Sequence, residues 1–522
     1  MSPAYIVFVG TFVHLPRDTS KALAIQQGAL WVATADGRIK GTDWTVVTEG
    51  DIRALLKEKG WVPEDASRFH SETRVKIVRA REEHNEFFFP GFIDTHIHAP
   101  QYPNNGLFGS TTLLDWLRKY TFPMEASFGS SIHNIPSPRA FRVYNQVVSR
   151  TLANGTTYAS YFATIHVSAT NLLATLCQKR GQRALIGRVC MDNPDFSEKY
   201  YVDPSTQESI DLNKEVISYI HSIDPQGTMV KPIITPRFAL TCTPKAMQGL
   251  ADLAASYDPP LHIQTHISEN TQEIHDVHTQ FPDAKSYADV YDTYGLLTPR
   301  TILAHGVHLT PDEQDLIHDR EAKISHCPAS NSALGSGICP VRKLWNKGIT
   351  VGLGTDVSGG YSPSILEAVR QACLVSRLLR HVGTENGGDK GKELVLSVEE
   401  GLYLATRGGA AVVNMENDIG GFDIGMLFDA QLIRLGPFLP ACKYDNGESR
   451  VDIFGWEKWQ EKVHKWVWSG DDRNVKGVWV GGRLVYGEDD VEGGNRPGWW
   501  SWVLSAGVVG VGAVVAFRRM RL

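Results

Sequence analysis

The sequence lacks several features that mark other classes of protein. Its seven cysteines, scattered from Cys177 to Cys442, form neither a paired framework nor a Cys-x-x-Cys cluster, and this pattern favours a reducing, intracellular compartment. The formal net charge is only −6 over 522 residues, so we expect neither nucleic acid nor an anionic membrane as a bulk partner. No Gly-x-Gly-x-x-Gly motif follows an early strand, which disfavours a doubly wound dinucleotide-binding sheet.

The two ends of the chain differ in character. Residues 1–10 have no basic region and too short an apolar run for a signal peptide, so we expect a cytoplasmic protein. Residues 498–517 contain no charge, begin with tryptophans and are followed by arginines, and about 20 apolar residues are enough to span a bilayer. This tail is either an anchor in an intracellular membrane or an apolar segment that packs on the body or stays disordered. The positive-inside tendency counts against the anchor, because a tail anchor would send the arginines across the membrane.

Hydrophobic periodicity divides the rest of the chain into three parts. Residues 1–89 alternate short apolar strands with turns, and predict the first part of a β domain. Residues 90–416 alternate strands with helical segments, and eight such units match the size of a (β/α)₈ TIM barrel, an α/β fold. Residues 417–488 return to short strands with glycine turns, so we predict a small composite β-sandwich domain built from the N- and C-terminal segments. Residues 489–522 are predicted to form a linker and the apolar tail.

Polar side chains end the predicted barrel strands, at the face where active sites of such barrels lie. The first strand, Phe92 to His96, leads to His98, and residues at i and i+2 of a strand point to the same side. Two converging imidazoles suit a divalent metal such as zinc, although an isolated pair is as easily two unrelated polar residues closing a strand. Later strands end in further candidates, which are Arg237, His266 with Glu269, His305, His326 and Asp356. The whole set predicts a catalytic metal site.

Sequence motifs coincide with these strand ends: PGFIDTHIHAPQY, HISEN, LAHG, SHCPASN and GLGTDVSGG. The set resembles the amidohydrolase superfamily, and segments such as LRKYTFP and VKPIITPRF narrow the resemblance to the guanine deaminase family. The resemblance runs from about residue 91 to residue 474 and leaves out the tail. It implies one zinc ion per chain, held by a set of four ligands, namely His96, His98, His266 and Asp356. Binuclear members add a carboxylated lysine at the end of the fourth strand, but here that strand ends in Arg237, and Lys231 lies at its start, which favours one metal.

The resemblance also implies roles for the remaining groups. Glu269 would be the proton shuttle between the attacking water, the ring and the leaving amine. His305 would hydrogen-bond the attacking hydroxide and the developing oxygen, or else be a buried histidine bonded to backbone. Asp356 would help as a second base while it binds the metal. His326 is either functional or structural, and His262, deeper in the barrel, is not expected to be a ligand.

The implied reaction is the zinc-dependent hydrolytic deamination of guanine to xanthine and ammonia, a step of purine catabolism or salvage. Metal-activated hydroxide would attack the carbon that bears the 2-amino group. Arg237 would donate to the carbonyl oxygen and neighbouring ring nitrogen of guanine, and Gln101 would donate to and accept from the lactam edge. Phe238 would stack on the purine or simply pack in the core. The remaining residues expected in contact with substrate are His98, His266, Glu269 and Asp356.

Two other functions remain open at this point. The first is another mononuclear amidohydrolase that acts on a pterin, a triazine or a different purine. The second is a barrel that has lost catalysis and serves as a scaffold, although all four ligands and Glu269 are present. The unrelated zinc deaminases of nucleobases use a His-x-Glu…Pro-Cys-x-x-Cys signature, and this sequence does not contain it. The resemblance further implies a homodimer.

Overall fold

In the computed structural model, the described part of the chain forms two separate β-sheets together with a set of helices. The structure describes residues 3–63, 73–109, 111–130, 135–379, 381, 393–437 and 449–487. The strands are β1 (Tyr5–His14), β2 (Ala24–Ala33), β3 (Ile39–Asp43), β4 (Trp61–Pro63), β5 (Thr73–Arg79), β6 (Glu86–Pro90), β7 (Phe92–His98), β8 (Thr156–Phe162), β9 (Arg183–Gly187), β10 (Val189–Cys190), β11 (Val230–Pro236), β12 (His262–Ile267), β13 (Thr301–His305), β14 (Lys323–His326), β15 (Val351–Leu353), β16 (Ala430–Arg434), β17 (Val475–Val480) and β18 (Arg483–Gly487).

The helices lie mainly between the strands of the central region. They are α1 (Glu49–Lys59), α2 (Leu113–Trp116), α3 (Phe122–Ala126), α4 (Pro138–Ala153), α5 (Val167–Arg180), α6 (Thr206–Ile223), α7 (Pro244–Ala255), α8 (Thr271–Gln280), α9 (Tyr287–Thr293), α10 (Pro311–Asp319), α11 (Pro328–Ala333), α12 (Val341–Asn346), α13 (Ile365–Leu379), α14 (Val398–Tyr403), α15 (Gly409–Val412) and α16 (Trp459–Ser469). Local sequence explains several of their starts. In α4, for example, the Ser137 hydroxyl accepts a hydrogen bond from the Ala140 N–H, and Pro138 occupies the first helical position.

The central sheet is a nearly closed parallel barrel. Its strands are ordered β7, β8, β9, β11, β12, β13, β14 and β15, and the short β10 also pairs with β11. Backbone hydrogen bonds join the two edge strands near their ends, because Asp356 N donates to His96 O (2.9 Å) and His98 N donates to Val357 O (3.1 Å). Parallel strands covered on both faces are continuous apolar runs, which is why the sequence pattern identified them. The predicted (β/α)₈ barrel is confirmed.

The other sheet combines both ends of the chain. It has the order β18, β17, β16, β6, β1, β2 and β3, with β5 beside β1 and β4 beside β5. The N- and C-terminal segments meet where β16 runs antiparallel to β6, with Ala430 opposite Pro90 and Arg434 opposite Glu86. This separate mixed sheet is the terminal β domain that the sequence predicted. The boundaries of the predicted parts, 1–89, 90–416, 417–488 and 489–522, remain a proposal.

Aromatic packing connects the terminal sheet to the first barrel strand. The chain passes from β6 into β7 within two residues, and the rings of Phe89 and Phe92 both contact Trp466 of α16, at centroid distances of 5.2 and 6.0 Å. These side chains are buried, so burial of large apolar surface fixes the position of β7. The strand that contains two candidate metal ligands is therefore anchored at its start by aromatic packing.

None of the described helices is both long and apolar enough to cross a bilayer. Residues 498–517, on which the expectation of a tail anchor depends, lie outside the described residues.

Candidate active site

The four predicted metal ligands converge at the carboxyl end of the barrel. One ligand atom from each of His96, His98, His266 and Asp356 lies within 4.8 Å of the others. Asp356 Oδ1 is 3.2 Å from His96 Nε2 and 3.3 Å from His98 Nε2, and the Nε2 atoms of His98 and His266 are 3.2 Å apart. Strand geometry accounts for this arrangement, because β7 presents its two histidines to one side and β12 presents His266 from across the barrel.

These residues fit a divalent metal such as zinc. Three imidazole nitrogens and one carboxylate oxygen are good zinc ligands that leave a position for water. His96 Nε2 is buried and makes no hydrogen bond, although Asp356 Oδ1 is within reach. Burial lowers the pKa of His98 to about 4 and holds the pKa of His266 well below its usual value, so both rings are neutral, as metal ligands must be.

Neighbouring polar groups hold the ligands in their orientations. His266 Nδ1 lies 2.6 Å from the carbonyl oxygen of Arg237, so Nδ1 is the donor and Nε2 presents its lone pair to the site. The buried Asp94 carboxylate accepts from Thr355 N (3.0 Å), Thr355 Oγ1 (2.6 Å) and His96 N (3.2 Å). Asp94 thereby ties β7 to the segment after β15, and this brings His96 and Asp356 together.

Glu269 and His305 lie beside the metal ligands. His305 Nε2 is 3.4 Å from Glu269 Oε2 and 3.8 Å from Asp356 Oδ2. The other oxygen of Glu269 accepts a hydrogen bond from the Ser336 hydroxyl (2.9 Å), and His305 Nδ1 is 2.9 Å from Asn331 Oδ1. Burial, followed by the charge of Asp356, raises the pKa of Glu269 to about 8. The arrangement places an acid–base group and a hydrogen-bonding ring at one edge of the metal ligands.

The backbone is strained where these groups leave their strands. Ser268, His305 and Asp356 all have positive φ, at 48°, 76° and 47°. For residues other than glycine such conformations cost about 1–3 kcal/mol each, and they persist where the surrounding structure enforces them. Here the strained turns direct the Asp356 and His305 side chains toward the same point as the histidines of β7.

A buried cavity opens over this group. Its lining includes Gln101, Arg237, Phe238, Glu269 and His305. Four apolar side chains form another part of the cavity wall. Leu113, Trp116 and Leu117 come from the connection between β7 and α4, and Leu334 follows α11. The structure thus brings the predicted substrate contacts and three of the four predicted metal ligands, all except His96, into the lining of one cavity.

The sequence did not reveal the carboxylate that organises the far side of this cavity. Glu125, fully buried on α3, accepts from Arg237 Nη1 (2.7 Å) and Nη2 (3.1 Å). It also accepts from Gln101 Nε2 (2.8 Å) and from the Tyr201 hydroxyl (2.6 Å). Burial opposes ionisation of Glu125, but the charge and hydrogen bonds of Arg237 outweigh it and hold the pKa of the carboxyl below its usual value. No regular spacing from the cavity motifs pointed to Glu125.

Two further histidines lie outside the metal group. His262 Nε2 is 3.2 Å from Asn414 Oδ1 at the start of β12, and His262 is not part of the group of four. His326 is buried at the end of β14, and among the described residues neither of its ring nitrogens has a hydrogen-bond partner. It is absent from the group of four, so the choice between a structural and a functional His326 stays open.

Three imidazoles and a carboxylate converge at the carboxyl end of a (β/α)₈ barrel, beside a cavity. This combination of fold and site is typical of the metal-dependent hydrolases, the class to which we assign the protein. The model of the amidohydrolase family matches residues 87–485, and the chain belongs to this family, on the branch of the guanine deaminases. A probable guanine deaminase of Schizosaccharomyces pombe is 46% identical over 485 residues, which are 92% of this chain and 83% of that protein. The guanine deaminase of Mus musculus is 42% identical over 484 residues, covering 92% of this chain and 97% of that protein.

A solved structure gives the same result for the fold. A guanine deaminase from C. acetobutylicum, with guanine bound in its active site, superposes with a TM-score of 0.76 at 29% identity. The match covers 92% of this chain and the whole of that one.

Proposed function

We propose that this protein deaminates guanine hydrolytically to xanthine and ammonia. One observation supports the proposal most directly: Arg237 and Gln101 line the same cavity as Glu269 and three of the four predicted metal ligands. An arginine that can donate to adjacent acceptors suits the oxygen-bearing edge of a purine, and the metal ligands lie where the opposite edge would be held. The guanine deaminases to which the chain is similar support the same substrate.

The metal we propose is zinc, one ion per chain, held by His96, His98, His266 and Asp356. When bound, zinc supplies a Lewis acid that lowers the pKa of a water molecule toward neutrality. The neutral imidazoles and the histidine tautomer fixed by the Arg237 carbonyl support this assignment.

The proton transfers are assigned to Glu269. Its Oε2 lies next to His305 at the edge of the ligand group, while the Ser336 hydroxyl holds its Oε1. From this position the carboxyl would accept a proton from the attacking water and pass it to a ring nitrogen. It would then take the remaining proton of the added hydroxyl and pass it to the amine, which leaves as ammonia while the carbonyl of xanthine forms. Asp356 would assist as a second base.

Stabilisation of the negative charge that develops on the attacking oxygen is assigned to His305. Its Nε2 has no hydrogen-bond partner among the described residues and lies between Glu269 and Asp356. A group held there before reaction can interact with the developing oxyanion without reorganising. The contact of His305 with Asn331 supports this role over that of a histidine bonded to backbone.

The purine is held by Arg237, Gln101 and Phe238 in this proposal, and His98 and His266 contact it near the metal. Phe238 is 95% buried from solvent (5% exposed), and its ring lies 6.4 Å from that of His266, so it forms the wall next to the ligands. A purine against this wall would place one face on an aromatic ring.

A coupled assay tests the proposal. Conversion of guanine to xanthine is followed by absorbance, with adenine and cytosine as control substrates, and the zinc content of the same sample is measured. We expect turnover of guanine alone and about one zinc per chain. Bound zinc without turnover of guanine would move the assignment to another ring, such as a pterin or a triazine. A protein with neither zinc nor turnover would favour a scaffold.

We further propose a cytoplasmic homodimer whose residues 498–517 contact an intracellular membrane. The apolar tail, its tryptophans and its closing arginines support the membrane contact. Deletion of residues 498–522 should then release the protein from the membrane fraction, and an unchanged distribution would remove the anchor. Light scattering of the deleted protein would test the dimer.

A further inference from the structure

The Glu125 carboxylate receives hydrogen bonds from every group that we assign to one edge of the substrate. Arg237 is paired with it through both terminal nitrogens, and Gln101 through its amide nitrogen. Tyr201 donates a fourth bond from outside the cavity lining. Glu125 itself does not line the cavity, so any effect on a ligand must act through Arg237 and Gln101.

The pairing decides which donors of Arg237 remain for a ligand. Nη1 and Nη2 each give one hydrogen to Glu125, so the end of the guanidinium is occupied. The second hydrogen of Nη1 faces the Met191 sulfur at 3.9 Å, and the Phe122 ring covers one face of the group, 5.1 Å from Cζ to the centroid. What remains is the side edge, formed by Nε–H and the second hydrogen of Nη2. This edge is a planar fork that matches two neighbouring acceptors.

The pairing also decides the orientation of Gln101. A carboxylate only accepts, so the atom that faces Glu125 must be the amide nitrogen. The amide oxygen then accepts from Ser358 N at 3.3 Å. Gln101 is thereby held with a known donor side and a known acceptor side, and it retains one hydrogen and one lone pair for a ligand.

Charge balance adds a second constraint. An unpaired buried arginine would attract anionic ligands such as carboxylates or phosphates, whereas Arg237 is already neutralised by Glu125. The recognition edge therefore suits a neutral ring that presents two adjacent acceptors. A 6-oxopurine presents such a pair in its 6-oxygen and N7, and a 6-aminopurine presents a donor in place of the oxygen.

We propose that Glu125 is a positioning residue that sets the specificity of this enzyme for a neutral 6-oxopurine. It acts by presenting the side edge of Arg237 and the fixed amide of Gln101. The inference rests on the proposed deamination of guanine, and it adds a specificity determinant that makes no contact with the substrate.

Competitive inhibition separates this role from a structural one. Hypoxanthine has the 6-oxygen and N7, purine lacks the oxygen, and neither has a 2-amino group to be removed. The ratio of their inhibition constants against guanine turnover measures recognition of the 6-oxo edge. We expect purine to bind the unaltered enzyme about 10- to 100-fold more weakly than hypoxanthine. In Glu125→Gln the ratio should fall about tenfold, because the neutral amide cannot accept from both Arg237 nitrogens.

A matched variant controls for the loss of a buried ion pair. Asp429 accepts from Arg183 Nε at 2.8 Å, and both side chains are buried, although slightly less than those of the Glu125 pair. Arg183 and Asp429 lie outside the cavity lining, so Asp429→Asn should lower stability and leave the inhibitor ratio unchanged. Zinc content is measured for each variant, and only samples with the unaltered metal content are compared.

The outcomes are distinct. Turnover of guanine with an unchanged ratio in Glu125→Gln would overturn the inference and leave the proposed function intact, whereas no turnover by the unaltered enzyme would overturn the function itself. If Glu125→Gln does not fold, Glu125→Asp and Tyr201→Phe replace it. Both variants keep a carboxylate at position 125. In Glu125→Asp the side chain is shorter, and in Tyr201→Phe the carboxylate loses one of its hydrogen-bond donors. Each variant should lower the ratio of inhibition constants about twofold to fivefold. An unchanged ratio in both would likewise overturn the inference.

Discussion

The two ends of the cavity satisfy their polar groups in opposite ways. At the metal end, His96 Nε2 and His305 Nε2 are buried without a hydrogen bond among the described residues. At the recognition end, the Glu125 carboxylate receives four hydrogen bonds from Arg237, Gln101 and Tyr201. Buried polar atoms without partners are costly, and proteins keep few of them outside functional sites. The difference indicates that the metal end is completed by a ligand, whereas the recognition end is already assembled when the ligand arrives.

The largest expected effect is on chemistry at the metal end. Glu269→Gln should lower kcat about 10³-fold with bound metal unchanged, because the amide cannot accept the proton and is not one of the four ligands. The measurement is steady-state kinetics together with metal analysis. Glu313→Gln replaces another buried carboxylate, one that caps α10 at Thr310, and should keep its activity. Full turnover in Glu269→Gln would remove the shuttle assignment.

The second largest effect is expected on the stability of the fold, from changes at the recognition end. Glu125→Ala should lower the free energy of unfolding by about 3 kcal/mol or more, because it leaves the Arg237 charge buried and unpaired. Denaturant unfolding measures the loss. Asp36→Ala, which breaks the exposed pair with Lys40, should cost less than about 1 kcal/mol. Equal small losses in both variants would mean that the Glu125 network contributes little to stability.

A smaller effect on rate is expected at His305. His305→Gln should lower kcat about 10²-fold with a smaller change in KM, because the group acts on charge that develops only after binding. Asn331→Ala, which removes the contact at Nδ1, should lower kcat less than the loss of the ring itself. A change confined to KM would instead assign His305 to substrate binding.

The smallest expected effect is the stabilisation by metal. Zinc added to metal-free protein should raise Tm by a few degrees, because the ion binds the folded ligand group and not the unfolded chain. Calorimetry with and without a chelator measures the shift. His96→Gln should lose most of this shift in Tm, whereas Glu125→Gln should keep it, since Glu125 is not one of the four residues that would bind the metal. A shift of equal size in His96→Gln would place the zinc elsewhere.

Elements defined by periodicity were predicted more accurately than groups on connections. Read as continuous apolar runs, residues 230 to 236 and residues 301 to 305 of the sequence predict two buried parallel strands. The structure has strands with these same bounds, Val230–Pro236 and Thr301–His305. The last barrel strand was predicted as Thr350–Thr355 and ends earlier, at Leu353. The positive φ of Asp356 and the contacts of Thr355 with Asp94 bend the chain away from the strand there. Sequence patterns do not encode that bend.

The sequence by itself determined the barrel, and it predicted the four residues that converge at the carboxyl end of the barrel, with Glu269 and His305 beside them. Hydrophobic periods fix the strands, and the strand ends of a parallel barrel must meet at one face. Only the tertiary structure decided the partners of those residues: Asp94 with Thr355, Ser336 with Glu269, Asn331 with His305, and Glu125 with Arg237. Three of these four partnerships join residues on separate connections or strands, more than 60 positions apart. No local period relates such residues, so their contacts arise only when the whole chain packs.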